Sequence, residues 1–110
     1  MRYPADQPHS HGGRRLDGQR LDKWIWCARL VKTRSLATSL VEAGKIRLNG
    51  ERVRKPSRRV RPGDVLTGAH GGRLWVVRVI DSAERRVPAS AVQDLYENLT
   101  PELVTDRMRG

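Results

Sequence analysis

Few side chains in this 110-residue sequence could make or break a bond. Nucleophilic catalysis needs a Ser or Cys held beside a base. The one cysteine, Cys27, falls inside a helical pattern, while the histidines lie in a Pro- and Gly-rich N-terminal stretch (His9, His11) and in a Gly-rich turn (His70). Cys27 therefore reads as a buried or half-buried structural residue. His9 and His11 have no Cys or acidic cluster at ligand spacing and read as part of a solvated tail. Asp22 and Asp64 are the acids most embedded in patterned sequence. No second carboxylate is spaced for acid–base work, so they are expected to cap a helix, hold an arginine or shape a turn. The sequence has neither a Gly-x-x-x-x-Gly-Lys-Ser/Thr phosphate cradle nor a dinucleotide fingerprint. No catalytic residue, metal ligand or cofactor is expected.

The chemistry that remains is ionic. The chain has 22 Lys and Arg against 12 Asp and Glu, a net charge of +10. That excess is localised: residues 1–19 carry +1, residues 20–68 carry +9 and residues 69–110 carry none. Charge serving only solubility would need no such concentration, so the middle of the chain is the expected surface for a polyanion. Lys23, Arg29, Lys32, Arg34, Lys45, Arg47, Arg52, Arg54 and Lys55 come from two adjoining structural units with few compensating acids.

Those cations must be positioned by elements that the hydrophobic pattern supplies. Residues 1–19, rich in Pro, Gly, Ser and His and without apolar periodicity, are expected to be a disordered basic tail. From Arg20 the period changes: Leu21, Trp24, Ile25, Ala28 and Val31 form one helical stripe. Trp26, Cys27 and Leu30 lie off that stripe, where Trp26 either packs under a later segment or stacks on a base. Lys32-Thr33-Arg34-Ser35 breaks the helix, Ser35 is a suitable N-cap for a second one, and Gly44 ends it. Lys45–Leu48, Asn49-Gly50 and Glu51–Arg54 read as a hairpin whose solvent face is a ladder of Lys45, Arg47, Arg52 and Arg54. Turns at Lys55-Pro56-Ser57 and Pro62-Gly63-Asp64 follow. Leu74–Ile80 reads as the best-buried strand. Pro88 and Ser90-x-x-Gln93 open an expected last helix to about Leu99, with Ala91, Leu95, Val92 and Leu99 inward. After Thr100 the chain is expected to fray. The class is α+β.

A set of ordered landmarks makes the reading more specific. Arg20-Leu21-Asp22-Lys23, the Lys32–Ser35 elbow with Ala37, Gly44-Lys45-Ile46, Leu48-Asn49-Gly50, Val53, Lys55-Pro56-Ser57, Val60 and Gly63-Asp64 together resemble the S4-type RNA-binding domain. Within that superfamily, residues 22–35, 82–90 and 95–101 are similar to the ribosome-associated heat shock protein 15 group. The resemblance implies an S4-like (alpha-L) module, two N-terminal helices on a small, mostly antiparallel sheet, at residues 20–68. Residues 69–100 would complete the fold with a strand and a short helix, and 101–110 would be tail. It also implies a non-catalytic protein that binds structured ribosomal RNA on the large subunit in a heat-shock or stalled-ribosome role. Peptidyl-tRNA is a further implied partner. RNA contacts would fall on Arg20, Lys23 and Arg29 of the first helix, on Lys32, Thr33, Arg34 and Ser35 of the elbow, and on Lys45, Arg47, Asn49, Arg52, Arg54 and Lys55 of the hairpin.

Three other classes remain to be separated from this one. An RNA-modifying enzyme of the pseudouridine synthase kind would need a catalytic domain for which 110 residues leave no room. A DNA-binding helix–turn–helix would show base-edge selectivity for a duplex, beyond non-specific affinity for single or double strands. A membrane-surface protein would array its cations around an insertion helix, and these are not so arrayed. With one cysteine, no span-length apolar run and no signal-type N-terminus, a soluble, monomeric cytoplasmic protein is expected.

Overall fold

The computed structural model describes residues 18–101. Most of the expected tails at 1–19 and 101–110, His9 and His11 included, lies outside the described residues. In chain order the elements are β1 (Gln19–Arg20), α1 (Leu21–Cys27), α2 (Arg34–Glu42), β2 (Ile46–Leu48), β3 (Glu51–Val53), β4 (Arg59–Val60), β5 (Val65–His70), β6 (Arg73–Val79), a short 3-10 helix (Ala89–Asp94) and β7 (Tyr96–Asn98). Gln19, expected to be in the tail, instead pairs with Val60 in a two-stranded β1–β4 ribbon. The main sheet has the order β3-β2-β5-β6-β7, antiparallel throughout. The class is α+β, as the sequence pattern implies.

The predicted stripe of α1 is the core. Leu21, Trp24, Ile25, Ala28 and Val31 are all buried, and they meet Ala37, Leu40 and Val41 of α2 and Ile46, Leu48, Val53, Leu66 and Val77 of the sheet. Cys27 is fully buried as well, and burial pushes its thiol above the ordinary value. Trp26 is half-buried and packs against the core edge with the Arg86 guanidinium 5.9 Å from its ring centre, the packing alternative of the two.

Both helices close in the same way, and only one of them announces it in sequence. In α2 the Gly44 amide donates to the Val41 carbonyl and Lys45 to Leu40, with Gly44 at φ 77°. In α1 the Arg29 amide donates to Trp26 and Leu30 to Ile25, with Arg29 at φ 61°. Each is the paired reverse-turn closure that needs a left-handed residue just past the helix. Glycine at 44 signals it, but arginine at 29 does not, so α1 ends at Cys27 and not near Val31. The N-cap of α2 is also two residues earlier than expected. Thr33 is extended, and its Oγ1 accepts from the Leu36 amide at 3.0 Å, while Ser35 lies within the first turn.

Two expectations for the later chain are corrected. The β6 strand is the longest, but only Val77 and Val79 are buried and Ile80 is 47% exposed. With helices on one face of the sheet, only alternate residues of a strand reach the core. The expected helix to Leu99 stops at Asp94 as a 3-10 turn capped by Pro88, and Tyr96–Asn98 instead adds to the β6 edge. Ile80 donates to the Leu95 carbonyl and Leu99 to Val76, both at 2.7 Å. Pairing an open strand edge outweighs a helix propensity that amounts to only tenths of a kcal/mol per residue. Leu95 is buried as expected, whereas Ala91, Val92 and Leu99 are half-buried.

Candidate nucleic-acid interface

Asp22 sets the geometry where α1 begins. Its carboxylate, 3% exposed, accepts from Arg20 through Nε at 3.0 Å and Nη2 at 3.1 Å, from Arg34 at 3.4 Å and from the Thr38 hydroxyl at 3.0 Å. Burial pushes the carboxyl up, but the bonds from Arg20 and Thr38 and the charges of Arg34 and Arg20 outweigh it, so its pKa lies below the ordinary value. The same contacts raise the Arg20 guanidinium. One buried anion thus fixes two partly exposed arginines, from β1 and from the N-terminus of α2. The pair retains a net positive charge where the partial positive end of the α2 dipole emerges.

The elbow between the helices is held from outside by the segment after β6. Arg86 donates through Nε to the Trp26 carbonyl at 3.1 Å and through Nη2 to Val31 at 2.9 Å. The Val87 amide donates to Cys27, and Arg29 reaches back to the Val87 carbonyl at 3.3 Å. Further along α1, Trp24 Nε1 donates to Asp81, while the Gln19 amide exchanges bonds with Ala83. The strap at 81–88 therefore satisfies carbonyls that an early helix end leaves open. On the elbow it braces, Arg29, Lys32, Thr33 and Ser35 are exposed, whereas Lys23 is half-buried on α1.

The β2–β3 hairpin presents the other cations. Asn49 at φ 52° and Gly50 at φ 88° make the two-residue turn whose twist suits a hairpin. Asn49 is more than a turn residue: its amide donates to Asp64 at 3.1 Å and its oxygen accepts from the Val65 amide at 2.9 Å. That amide is engaged in clamping the hairpin to β5. Arg47 sits directly opposite Arg52 in register. Lys45, Arg47, Arg52, Arg54 and Lys55 are all exposed. The Arg54 guanidinium lies over Gly44, where an added Cβ would come within 2.8 Å of it. Like charges facing one another across a strand pair destabilise a sheet, so the ladder is not explained by folding.

Of the residues expected to contact RNA, the structure brings Arg20, Arg34, Thr33 and Ser35 together around Asp22 and the α2 N-terminus, and collects Lys45, Arg47, Arg52, Arg54 and Lys55 on and just past the hairpin. Thr33 and Asn49 have structural duties. Arg86, which is not among the residues expected to matter, positions the elbow; its one sequence signal is its place in the 82–90 stretch that carries the family resemblance. Among the described residues no group of three His, Cys, Asp or Glu is placed to hold a metal ion, and no helix is long and apolar enough to cross a membrane.

Two helices closing on a hairpin with a basic outer face define an S4-domain protein, and the S4 domain family model matches residues 19–66. The chain is 46% identical to heat shock protein 15 of Escherichia coli over 88 residues, 80% of this chain and 65% of that protein. It spans just under two thirds of the length of that curated relative. A solved structure of Vibrio cholerae heat shock protein 15, described as trimeric, superposes with a TM-score of 0.70 at 41% identity, covering 82% of this chain and 89% of that one. The RQC P-site tRNA stabilizing factor of Bacillus subtilis is 43% identical over 60 residues, 54% of this chain and 69% of that protein. This chain belongs to the heat shock protein 15 family of S4-domain proteins.

Proposed function

We propose that this protein is a non-catalytic RNA-binding factor that grips structured ribosomal RNA on the large ribosomal subunit, in a heat-shock or stalled-ribosome role. The observation that carries it is the Arg47–Arg52 pair, two arginines directly opposite in register on an exposed hairpin with Lys45 and Arg54 beside them. A phosphate backbone relieves that repulsion and releases counterions. A-form RNA is recognised largely by shape and backbone, which suits cations displayed on two rigid elements. The relatives support the setting, since one is named as a stabiliser of P-site tRNA and another, at 38% identity over 94 residues, is a small ribosomal subunit protein, uS4. In this reading residues 20–68 are the RNA-binding unit and 69–100 complete it, no cofactor is needed, peptidyl-tRNA is a second partner, and the protein acts in the cytoplasm as a monomer.

The test is co-sedimentation with free large subunits, small subunits and whole ribosomes across a salt series, with duplex DNA as competitor. Lys32→Glu on the elbow and Arg52→Glu/Arg54→Glu on the hairpin are the variants of choice, because Arg34→Glu would set a carboxylate against Asp22. Saturable binding to free large subunits that both variants lose supports the reading. Equal, salt-labile binding to every particle and to DNA, unchanged in the variants, refutes it.

A further inference from the structure

Away from the hairpin's outer face, the helix-facing side of the sheet runs on beyond the two helices. There it forms one wall of an open groove of about 1280 Å³ whose other wall is the elbow. Leu30, Leu36 of α2 and Trp75 of β6 line it, with Arg29, Lys32, Arg73 and Arg86 around them. A smaller hollow of about 350 Å³ shares His70, Gly72, Arg73 and Leu74 with the groove and leads to Lys45 at the foot of the hairpin. Among the described residues no carboxylate lines either one. Arg29 and Arg86 are fixed by backbone carbonyls, which hold them in place without neutralising them.

Trp75 is the second element of the argument. It pairs in register with Gly68, and a Cβ on Gly68 would lie 2.2 Å from Trp75 Cζ2. The indole therefore rests on bare backbone, and its remaining surface lines the groove. An apolar groove alone would suit many partners, but one that is walled by an aromatic ring, carries cations and no carboxylate among its described lining, and is larger than the roughly 300–1,000 Å³ of a small-molecule pocket fits a polyanion with flat apolar units.

We propose that this groove binds an unpaired stretch of RNA, with one base stacked on Trp75 and the adjoining phosphates facing Lys32, Arg73 and Lys45. The proposal rests on the RNA-binding reading above and adds to it a single-stranded site that meets the elbow at Lys32 and the foot of the hairpin at Lys45 but lies off the Arg47–Arg52 pair.

The experiment uses the full chain and a short single-stranded oligoadenylate, read by tryptophan emission and by anisotropy of a labelled copy. Trp24 is fully buried, so saturable quenching reports on the half-buried Trp26 and Trp75, and comparison with Trp75→Phe isolates the Trp75 part. Trp75→Phe is expected to remove most of that quenching. Arg73→Glu, on an exposed strand residue, is expected to weaken oligoadenylate binding about tenfold while ribosomal RNA is bound within about threefold of wild type. Arg52→Glu/Arg54→Glu is expected to do the reverse. Urea unfolding of each variant verifies the fold. If Trp75→Phe and Arg73→Glu bind oligoadenylate as wild type does, or if a Glu-rich peptide competes as well as the oligonucleotide, the groove is not an RNA site. Binding of oligoadenylate without any binding of ribosomal RNA would leave the groove standing and remove the ribosomal reading; the opposite pattern would remove the groove alone.

Discussion

Arg29 holds a backbone conformation that its side chain disfavours, and replacing it separates what the fold wants from what the surface needs. For a residue with a Cβ the left-handed region costs about 1–2 kcal/mol, and Arg29 sits in it at φ 61°. Arg29→Gly relieves that strain. It also loosens the unfolded chain, worth about 0.4–1 kcal/mol in the opposite direction, and removes the exposed 3.3 Å bond to Val87, worth about 0.5 kcal/mol. These nearly cancel. Arg29→Ala removes the same bond but keeps the strain, so the comparison of the two variants isolates the backbone: the glycine variant should be more stable than the alanine variant by about 1 kcal/mol. In an ordinary helical position the order would reverse by about the same amount. Urea unfolding at constant m-value measures the difference. Both variants should also bind ribosomal RNA more weakly, with the salt slope reduced by about one. Equal stabilities, or alanine above glycine, would show that the chain does not turn at 29 as described. Unchanged RNA affinity would show that the arginine is not kept for its charge.

Three further outcomes follow from local geometry. Asp22→Asn should destabilise the protein by about 2 kcal/mol, since it leaves Arg20, Arg34 and Thr38 without their buried anion. The Asp22 carboxyl is below its ordinary value in the fold, so its stabilisation is complete above the unfolded value of about 3.9 and is lost as pH falls through the folded value. Below about pH 4 the wild type should therefore lose stability more steeply than the Asn variant in acid titrations of urea midpoints. Thr33→Ala should cost about 1 kcal/mol and Ser35→Ala less than about 0.5, because only Thr33 caps α2; equal losses would contradict the cap assignment. Gly68→Ala should cost about 1–3 kcal/mol through collision with Trp75, and Trp75→Leu in the same chain should recover part of it, as thermal unfolding would show.

Legibility in the sequence followed the range of the deciding interaction. The α1 stripe, the Asn49-Gly50 turn and the Gly44 helix end were readable because the residues that decide them lie within a few positions of one another. The early end of α1 was not, because its left-handed residue is an arginine and its open carbonyls are met by Arg86 and Val87, some sixty positions on. The last helix is not legible for a like reason: Tyr96–Asn98 has a strand edge to join, and that edge is more than fifteen positions away. Charge is carried by residue type, so the cations of the candidate site were legible one by one. The hairpin ladder is legible too, because the two-residue turn sets the register that puts Arg47 against Arg52, whereas only the fold brings Leu36 and Trp75 to one groove. That division has a physical consequence. The hairpin ladder is built from local pairing and should survive damage to the later chain, whereas the elbow and groove depend on the 81–88 strap and the β6 edge. Loosening the strap, by Arg86→Ala for instance, should therefore weaken binding at the elbow before it weakens binding at the hairpin, and measuring the two with single-stranded and structured RNA would resolve the order.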